Sequence, residues 1–288
     1  MSENTSLLNS AILQKLSGPI RYRITNSYMF VAVLQKNRET LCHLLAALLH
    51  IPREEITSVE ILNPIILGEA VDEKDCVLDL LVLLNNNAKI NLELQVDNEK
   101  NWDNRSVYYL ARKLCDPAPG EDYNSLKPMI HIGILDFNYP KGNEEFYQQN
   151  MLMNLKTHRV YSDKMQLNVL CLTQIENATQ KDRDSGLYSW AKVFRATAWE
   201  ELKALADHNK VIQDTIVTIA QLSEDEKIRQ QCERREKYER DRISAINFGK
   251  QQICSLIQLL SDAGRQDDIV RIAADENYRD QLLQEFGL

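Results

Sequence analysis

The fold is decided by residues 77–96, VLDLLVLLNNNAKINLELQV, in which two apolar runs flank three asparagines at positions 85–87. Asparagine tolerates the left-handed backbone conformations that tight turns require, so this pattern predicts a β-hairpin. Side chains alternate between the two faces of a strand, which places Glu93 and Gln95 together on a polar face of the second strand. The hairpin therefore presents an acid and an amide side by side.

The first strand of the hairpin carries a single charge, Asp79, within an apolar run. An ionised carboxylate in such surroundings is destabilising unless something compensates for its burial. A divalent cation would compensate, because Asp79 and Glu93 together offer the hard oxygen donors that Mg²⁺ prefers in phosphate chemistry. The alternative is structural, since buried carboxylates also accept hydrogen bonds from backbone amides.

The order Asp79, turn, Glu93-x-Gln95 resembles the catalytic hairpin of the PD-(D/E)xK nuclease superfamily, most members of which have lysine at the position of Gln95. Further phrases, in the same order, are similar to the Rpn family of recombination-promoting nucleases, also called transposase-like PD-(D/E)xK proteins. These phrases are ITNSYMF (24–30), SVEILNP (58–64), INLELQV (90–96), RSVYYLARKL (105–114), GEDYNSLKPMIHIGILDF (120–137) and YSWAKVF (188–194). The resemblance covers roughly residues 20–240.

The resemblance implies an α/β fold with a restriction-endonuclease-like core, a central mixed sheet flanked by helices, and a helical C-terminal region. It also implies a metal-dependent DNA endonuclease that hydrolyses phosphodiester bonds, of the recombination-promoting type. Asp79 and Glu93 are then the ligands of Mg²⁺, or of another divalent cation such as Mn²⁺. Gln95 is the third catalytic residue, and because its amide is neither a cation nor a base, we expect it to position the attacking water.

The sequence departs from the family pattern at a second position. Family members usually have aspartate directly after the residue that matches Asn26, and this chain has Ser27 there. We expect a helix cap at this position, which serine supplies well. The alternative is that the aspartate assists metal binding in the family, in which case this chain has lost one acid. Ser27 and Gln95 nevertheless favour an alternative function, a catalytically weak or inactive nuclease-fold module that acts through DNA or protein binding.

A helix is predicted over residues 101–114, directly after the hairpin. Arg105, Tyr109 and Arg112 recur at helical spacing on one face. We expect this face to bind the DNA phosphate backbone, through the guanidinium groups and the tyrosine hydroxyl or ring. The alternative is an amphipathic helix whose arginines are merely solvated.

Three regions are expected: a lead segment at 1–19, a nuclease-like domain at 20–222, and helices at 223–288. Apolar and β-rich runs predict further strands at the following residues: 56–62, 129–137, 151–153 and 167–175. The last region has apolar stripes that include Leu256, Leu260 and Phe286 but is short for a core of its own. We expect it to dock on the main domain or on a second subunit, as a regulatory or oligomerisation region.

Composition limits the other possibilities. The net charge of −8 argues against a protein that coats nucleic acid, but it is compatible with a nuclease that has a local basic groove. The cysteines show no C-x-x-C pair and the histidines no ligand spacing, so we expect a cytoplasmic protein with reduced thiols and no zinc site. No apolar stretch approaches the ~20 residues that span a bilayer. The acidic residues at 72–75 are expected to be solvated, although one could be a further metal ligand.

Overall fold

The computed structural model describes residues 2–65, 67, 79–114, 122–138, 144–207 and 209–288. The acidic residues at 72–75, and positions 77 and 78 of the hairpin stretch, lie outside the described residues. The chain forms two compact units, Met1–Cys232 and Glu233–Leu288.

Six strands form one sheet in the described part of the chain. They are β1 (Val59–Ile61), β2 (Asp79–Leu84), β3 (Ala88–Gln95), β4 (Met129–Leu135), β5 (Tyr147–Met153) and β6 (Val160–Cys171). Their order across the sheet is β1-β2-β3-β4-β6-β5. Strand β4 runs parallel to β3 and to β6, and the remaining neighbours are antiparallel. The predicted α/β fold with a mixed sheet is confirmed.

Helices form much of the remaining described backbone. They are α1 (Ser2–Lys15), α2 (Ser27–Lys36), α3 (Arg38–Leu49), α4 (Trp102–Leu114), α5 (Gln180–Asp184), α6 (Leu187–Arg195), α7 (Trp199–Ala206), α8 (Lys210–Glu224), α9 (Glu226–Asp262), α10 (Gln266–Ala274) and α11 (Glu276–Glu285). Short 3₁₀ turns lie at Arg53–Glu55, Tyr123–Ser125 and Leu172–Asn177. Within the described residues, none of these helices combines the length and the apolar character needed to cross a membrane.

Asparagine side chains and backbones define several boundaries. In the hairpin turn, Asn85 and Asn86 have φ angles of 49° and 53°, in the left-handed region that the sequence predicts for this turn. Asn26 caps α2 by accepting hydrogen bonds from the second and third residues of the helix region, and Asn37 caps α3 in the same way. Ser27 is therefore not the cap, because Asn26 already fills that position; Ser27 is a buried first residue of α2.

The two faces of the sheet differ in what covers them. One face, with Leu80, Ile90 and Leu92, belongs to the main apolar core together with α2, α3, α6 and α8. The other face packs a smaller cluster around Trp102 at the start of α4. Because residues alternate along β3, Glu93 and Gln95 lie on the face that α4 covers.

The predicted strand at 167–175 is wrong in its extent. Strand β6 begins at Val160, ends at Cys171 and is followed by a 3₁₀ turn. Its first residues pair only with β5 and are largely exposed, so they carry no apolar alternation that would reveal a strand. The lead segment also differs from a loose tail, since Asn9 donates a 2.9 Å hydrogen bond to Asp214.

The C-terminal helices form an apolar cluster of their own. Leu256, Leu260, Ile272 and Leu282 are buried in it, and Phe286 packs against them. The turn at Gly264, with φ of 70°, ends the long helix and allows the following helices to return over it. The expectation that this segment lacks a core is therefore wrong. Self-association through it stays a prediction.

Candidate active site

The hairpin places Asp79 and Glu93 directly opposite each other, as partners in the register of β2 and β3. Directly opposed residues of an antiparallel pair project to the same face, with Cβ atoms about 4.5–5.5 Å apart. The short turn fixes this register, because Asn85 and Asn86 have positive φ angles and Leu84 pairs directly with Ala88 on either side of them. The two acids that the sequence separates by a turn are therefore neighbours in the structure.

The carboxylate of Glu93 is buried with little hydrogen bonding. Its side chain is 1% exposed, and neither oxygen has a hydrogen-bond partner among the described residues. Arg105 Nε lies 3.0 Å from Glu93 Oε1, outside hydrogen-bond geometry, so the contact is an ion pair. Burial raises the pKa of Glu93 to about 7, although the Arg105 charge opposes this rise. Glu93 thus has an ionic partner in Arg105 but accepts no hydrogen bond from the described residues.

Asp79 is held by two side chains from different elements. Its Oδ2 accepts a hydrogen bond from Lys113 Nζ, and its Oδ1 accepts a 3.3 Å hydrogen bond from Asn63 Nδ2. Lys113 Nζ also donates to Asn91 Oδ1 at 2.8 Å. Asp79 therefore has a charged partner in the last turn of α4.

Asn91 connects Lys113 to a buried histidine. A lysine ammonium only donates hydrogen bonds, so the atom of Asn91 that faces it is the oxygen, and Nδ2 faces His131 Nδ1 at 3.0 Å. His131 Nδ1 therefore accepts this hydrogen bond. The ring proton then lies on Nε2, 3.5 Å from Glu93 Oε2. Burial lowers the pKa of His131 to about 3, so the ring is neutral at physiological pH.

Gln95 lies on the same face as Glu93 and is also buried. Its Nε2 donates a 2.9 Å hydrogen bond to the backbone oxygen of Asp97. Its Oε1 has no hydrogen-bond partner in the described part of the chain. The amide oxygen is therefore available to a ligand, a metal ion or a water molecule.

Helix α4 brings two of its three predicted DNA-binding residues to the site. Arg105 lies over the ring of Tyr109, at 5.6 Å from the ring centroid, and that ring stacks on His131. Arg112 is exposed and points away from this group. Lys113, the next residue, lies on the face of α4 that contacts the sheet, where Arg112 was expected.

The close approach of α4 to the sheet depends on Gly133, which pairs with Glu93 across β3 and β4. A Cβ atom at this position would lie 2.1 Å from Trp102 Cζ2, closer than any real contact. Glycine therefore lets the Trp102 ring lie on the sheet. This packing sets the distance at which Arg105 and Lys113 reach the carboxylates.

Sequence reasoning missed three residues of this arrangement: Asn91, Lys113 and His131. A signal for Lys113 was present, since it follows Tyr109 by four residues and so shares a helix face with it. The position of Asn91, two residues before Glu93, also places it on the polar face. Nothing in the sequence distinguishes His131 from an ordinary buried histidine.

The donors of the site suit a divalent cation. Asp79 and Glu93 supply facing carboxylates, and the oxygens of Glu93 and Gln95 that accept no hydrogen bond from the described residues are hard donors of the kind that Mg²⁺ and Mn²⁺ take. Within the described ranges, no group of three or more His, Cys, Asp or Glu side chains could hold a metal ion. Such an ion would therefore rest on two carboxylates completed by amide, backbone or water oxygens.

Comparison with known proteins agrees with this geometry. The model of the PD-(D/E)XK nuclease family transposases matches residues 26–249, which is most of the chain. No curated protein and no solved structure matches the chain. The matched region contains the whole hairpin and α4. The chain therefore belongs to the PD-(D/E)XK nuclease family transposases, and its function is of the nuclease type.

Proposed function

We propose that this protein is a DNA endonuclease that hydrolyses phosphodiester bonds with the help of a divalent cation, of the recombination-promoting, transposase-like type. The observation that carries the proposal is the direct pairing of Asp79 with Glu93 across the hairpin, with both Glu93 oxygens lacking a hydrogen-bond partner among the described residues. Buried carboxylates with a structural role normally accept hydrogen bonds. Unsatisfied acceptors beside a second acid instead suit a cation.

In this proposal Asp79 and Glu93 hold Mg²⁺ or Mn²⁺, with Gln95 close to them on the same face. When bound, such an ion lowers the pKa of a water molecule and neutralises charge on the scissile phosphate. Gln95 orients the attacking water, because its amide oxygen is unpartnered within the described residues while its nitrogen is held by the backbone at position 97. His131 directs its Nε2 proton towards Glu93 and so favours one orientation of that carboxylate.

The phosphate backbone of DNA is bound, in this proposal, by α4. Arg105 and Tyr109 lie beside the acids and reach the phosphates nearest the reaction, and the exposed Arg112 contacts a phosphate farther along. In the free protein the guanidinium of Arg105 also forms an ion pair with Glu93, and this charge compensates for the burial of that carboxyl group. Its planar, multiply donating group is suited to both partners.

Self-association through the C-terminal helices remains part of the proposal, but on different residues from those first expected. Leu256 and Leu260 are buried within their own unit, whereas α9 exposes Ile243, Ile246 and Phe248. An exposed apolar group of this kind is a frequent feature of protein–protein contacts.

The test is incubation of the pure protein with supercoiled plasmid and Mg²⁺ or Mn²⁺, with a chelator in a parallel series. Conversion to nicked or linear DNA that the chelator stops supports the proposal. DNA binding without cleavage under every metal condition would contradict it and support the alternative, a nuclease fold that acts by binding alone. That alternative draws its support from Arg105 and Lys113, which already pair with the two carboxylates.

A further inference from the structure

The one lysine of the active-site strand β3, Lys89, lies four residues before Glu93, near the other end of the strand. Position 95, two residues after Glu93 on the same face, is a glutamine whose neutral amide cannot balance charge on a phosphate. Two positive side chains form ion pairs with the facing acids, and both come from α4. Arg105 is engaged by two acids, Glu93 and Glu99. Lys113 has a different set of contacts.

The ammonium group of Lys113 is fixed between two strands. It donates to Asp79 on β2 and, at 2.8 Å, to Asn91 on β3. The side chain is 20% exposed, so part of it lies at the solvent margin of the site. Asn91 is itself held by His131, which prevents its amide from turning away. The lysine is thus oriented on both sides.

We propose that Lys113 is the catalytic ammonium group of this nuclease site, supplied by helix α4 instead of by strand position 95. The inference rests on the proposed function. In the metal-free protein Lys113 balances the charge of Asp79. Once a divalent ion is held by Asp79 and Glu93, the same ammonium group is free to donate to a non-bridging oxygen of the scissile phosphate. Lys113 keeps its proton throughout and stabilises the negative charge of the transition state.

Two physical arguments favour this role over simple anchoring of the helix. Helix α4 is already attached by Trp102, which packs in the apolar cluster under Gly133, and by the buried Leu110. An anchor needs no ammonium group between a metal-binding acid and a fixed amide.

The test combines cleavage with direct titration of Mn²⁺ by calorimetry, on the full chain without DNA. Lys113→Met keeps the length and apolar stem of the side chain but removes its charge. We expect cleavage to fall about 100-fold or more, the effect typical of a lost transition-state donor. We expect Mn²⁺ affinity to be unchanged or higher, because a neighbouring positive charge has been removed.

A second variant makes the test specific. Adding Gln95→Lys to Lys113→Met places an ammonium group at the strand position. Lys113→Met alone is expected to cleave about 100-fold more slowly than the parent, and we expect the double variant to recover to at least about a tenth of the parent rate. The matched control is Lys227→Met, an exposed lysine of α9 that has no part in the site. It should cleave and bind Mn²⁺ like the parent protein.

Four outcomes overturn the proposal. Lys113→Met that cleaves like the parent excludes a catalytic role. If Lys113→Met loses Mn²⁺ binding and also melts at a lower temperature, Lys113 only anchors α4 to the sheet. The same conclusion follows if Gln95→Lys fails to restore cleavage in the double variant. If the parent protein and Lys227→Met both fail to cleave, the proposed nuclease function is overturned together with the role of Lys113. Cleavage by the parent protein therefore distinguishes a failure of the Lys113 proposal from a failure of the proposed function.

Discussion

Asp79 and Glu93 face each other across β2 and β3, and each is paired with a positive side chain from the same helix, Lys113 for Asp79 and Arg105 for Glu93. Two opposed carboxylates repel each other, so the metal-free protein needs these charges to keep both acids on one face. Helix α4 therefore does more than cover the sheet. It supplies the charge that makes the paired acids compatible with the fold.

The first prediction concerns the stability of the metal-free protein as a function of pH. The folded pKa of Glu93 is raised from 4.5 to about 7, so between these values the unfolded chain is ionised while the folded protein keeps the proton. The unfolded state then binds fewer protons, and stability falls as pH rises through this window. The interval of about 2.5 pH units corresponds to at most about 3 kcal/mol, at 1.36 kcal/mol per unit.

Glu93→Gln removes this titration and should lack that fall in stability. Urea unfolding with chelator, across the pH window of 4.5 to about 7, measures it for both proteins. Glu60→Gln, which alters an exposed carboxylate on β1, is the control and should follow the parent protein. Parallel profiles for the parent and Glu93→Gln would show that Glu93 is not the proton-binding group.

The second prediction concerns the contact between the sheet and α4. Gly133→Ala puts a methyl group 2.1 Å from Trp102 Cζ2, so the ring must move and α4 with it. Overpacking of this kind costs about 1–3 kcal/mol. Chemical unfolding measures the loss, and cleavage should fall as well because Lys113 and Arg105 are displaced.

The control for this change is Gly249→Ala in the long helix α9, where a Cβ atom meets nothing within 4 Å. Alanine at an open helical position should be neutral or stabilising by up to about 1 kcal/mol. If Gly133→Ala unfolds and cleaves like the parent, the tight approach of α4 has no part in the site.

The hairpin and the helix after the hairpin could both be predicted because each depends on local chemistry. Three asparagines specify a turn, whatever the rest of the chain does. The cap of α2 was expected at Ser27 and lies one residue earlier, at Asn26. The strand β6 could not be bounded in this way. Its first half is an exposed ribbon with β5, and exposed residues carry no periodic apolar pattern.

The placement of the candidate site residues could be predicted where strand alternation decides it and not where packing decides it. Asp79, Glu93 and Gln95 follow from their order in the hairpin. The choice between Arg112 and Lys113 does not, because both lie within one turn of the face that Tyr109 defines, and only the tilt of α4 on the sheet selects Lys113. His131 acquires its role from Asn91 and Glu93, to which the sheet register brings it.

The third prediction compares the two arginines of α4 in DNA binding. Arg112 is exposed and, if it contacts a phosphate, Arg112→Ala should weaken binding equally for all DNA sequences and reduce the salt slope by about one phosphate contact. Fluorescence anisotropy with chelator, over a salt series and two unrelated duplexes, measures both effects. Equal slopes for the variant and the parent would assign Arg112 to a solvated face.

The fourth prediction concerns the C-terminal unit, in which Leu260 is fully buried and Ile257 is 39% exposed on the same helix. Leu260→Ala should destabilise the cluster by about 2–5 kcal/mol, the usual cost of a truncated core leucine. Ile257→Ala should change it much less. Hydrogen exchange of the helices α9 to α11 measures both, and equal protection in the two variants would contradict a core centred on Leu260.

The central claim is that Asp79 and Glu93 act together on one divalent cation. The most direct measurement is Mg²⁺-dependent plasmid nicking, with melting temperatures under chelator, for Asp79→Ala, Glu93→Ala and the double variant. Residues that act as a unit are not additive, so each single change should abolish nicking and the double change should be hardly worse. Melting temperatures under chelator show that each variant is folded, so that lost nicking reports a lost ligand and not an unfolded protein. Intact nicking with lowered melting temperatures would contradict the claim and assign both acids a structural role.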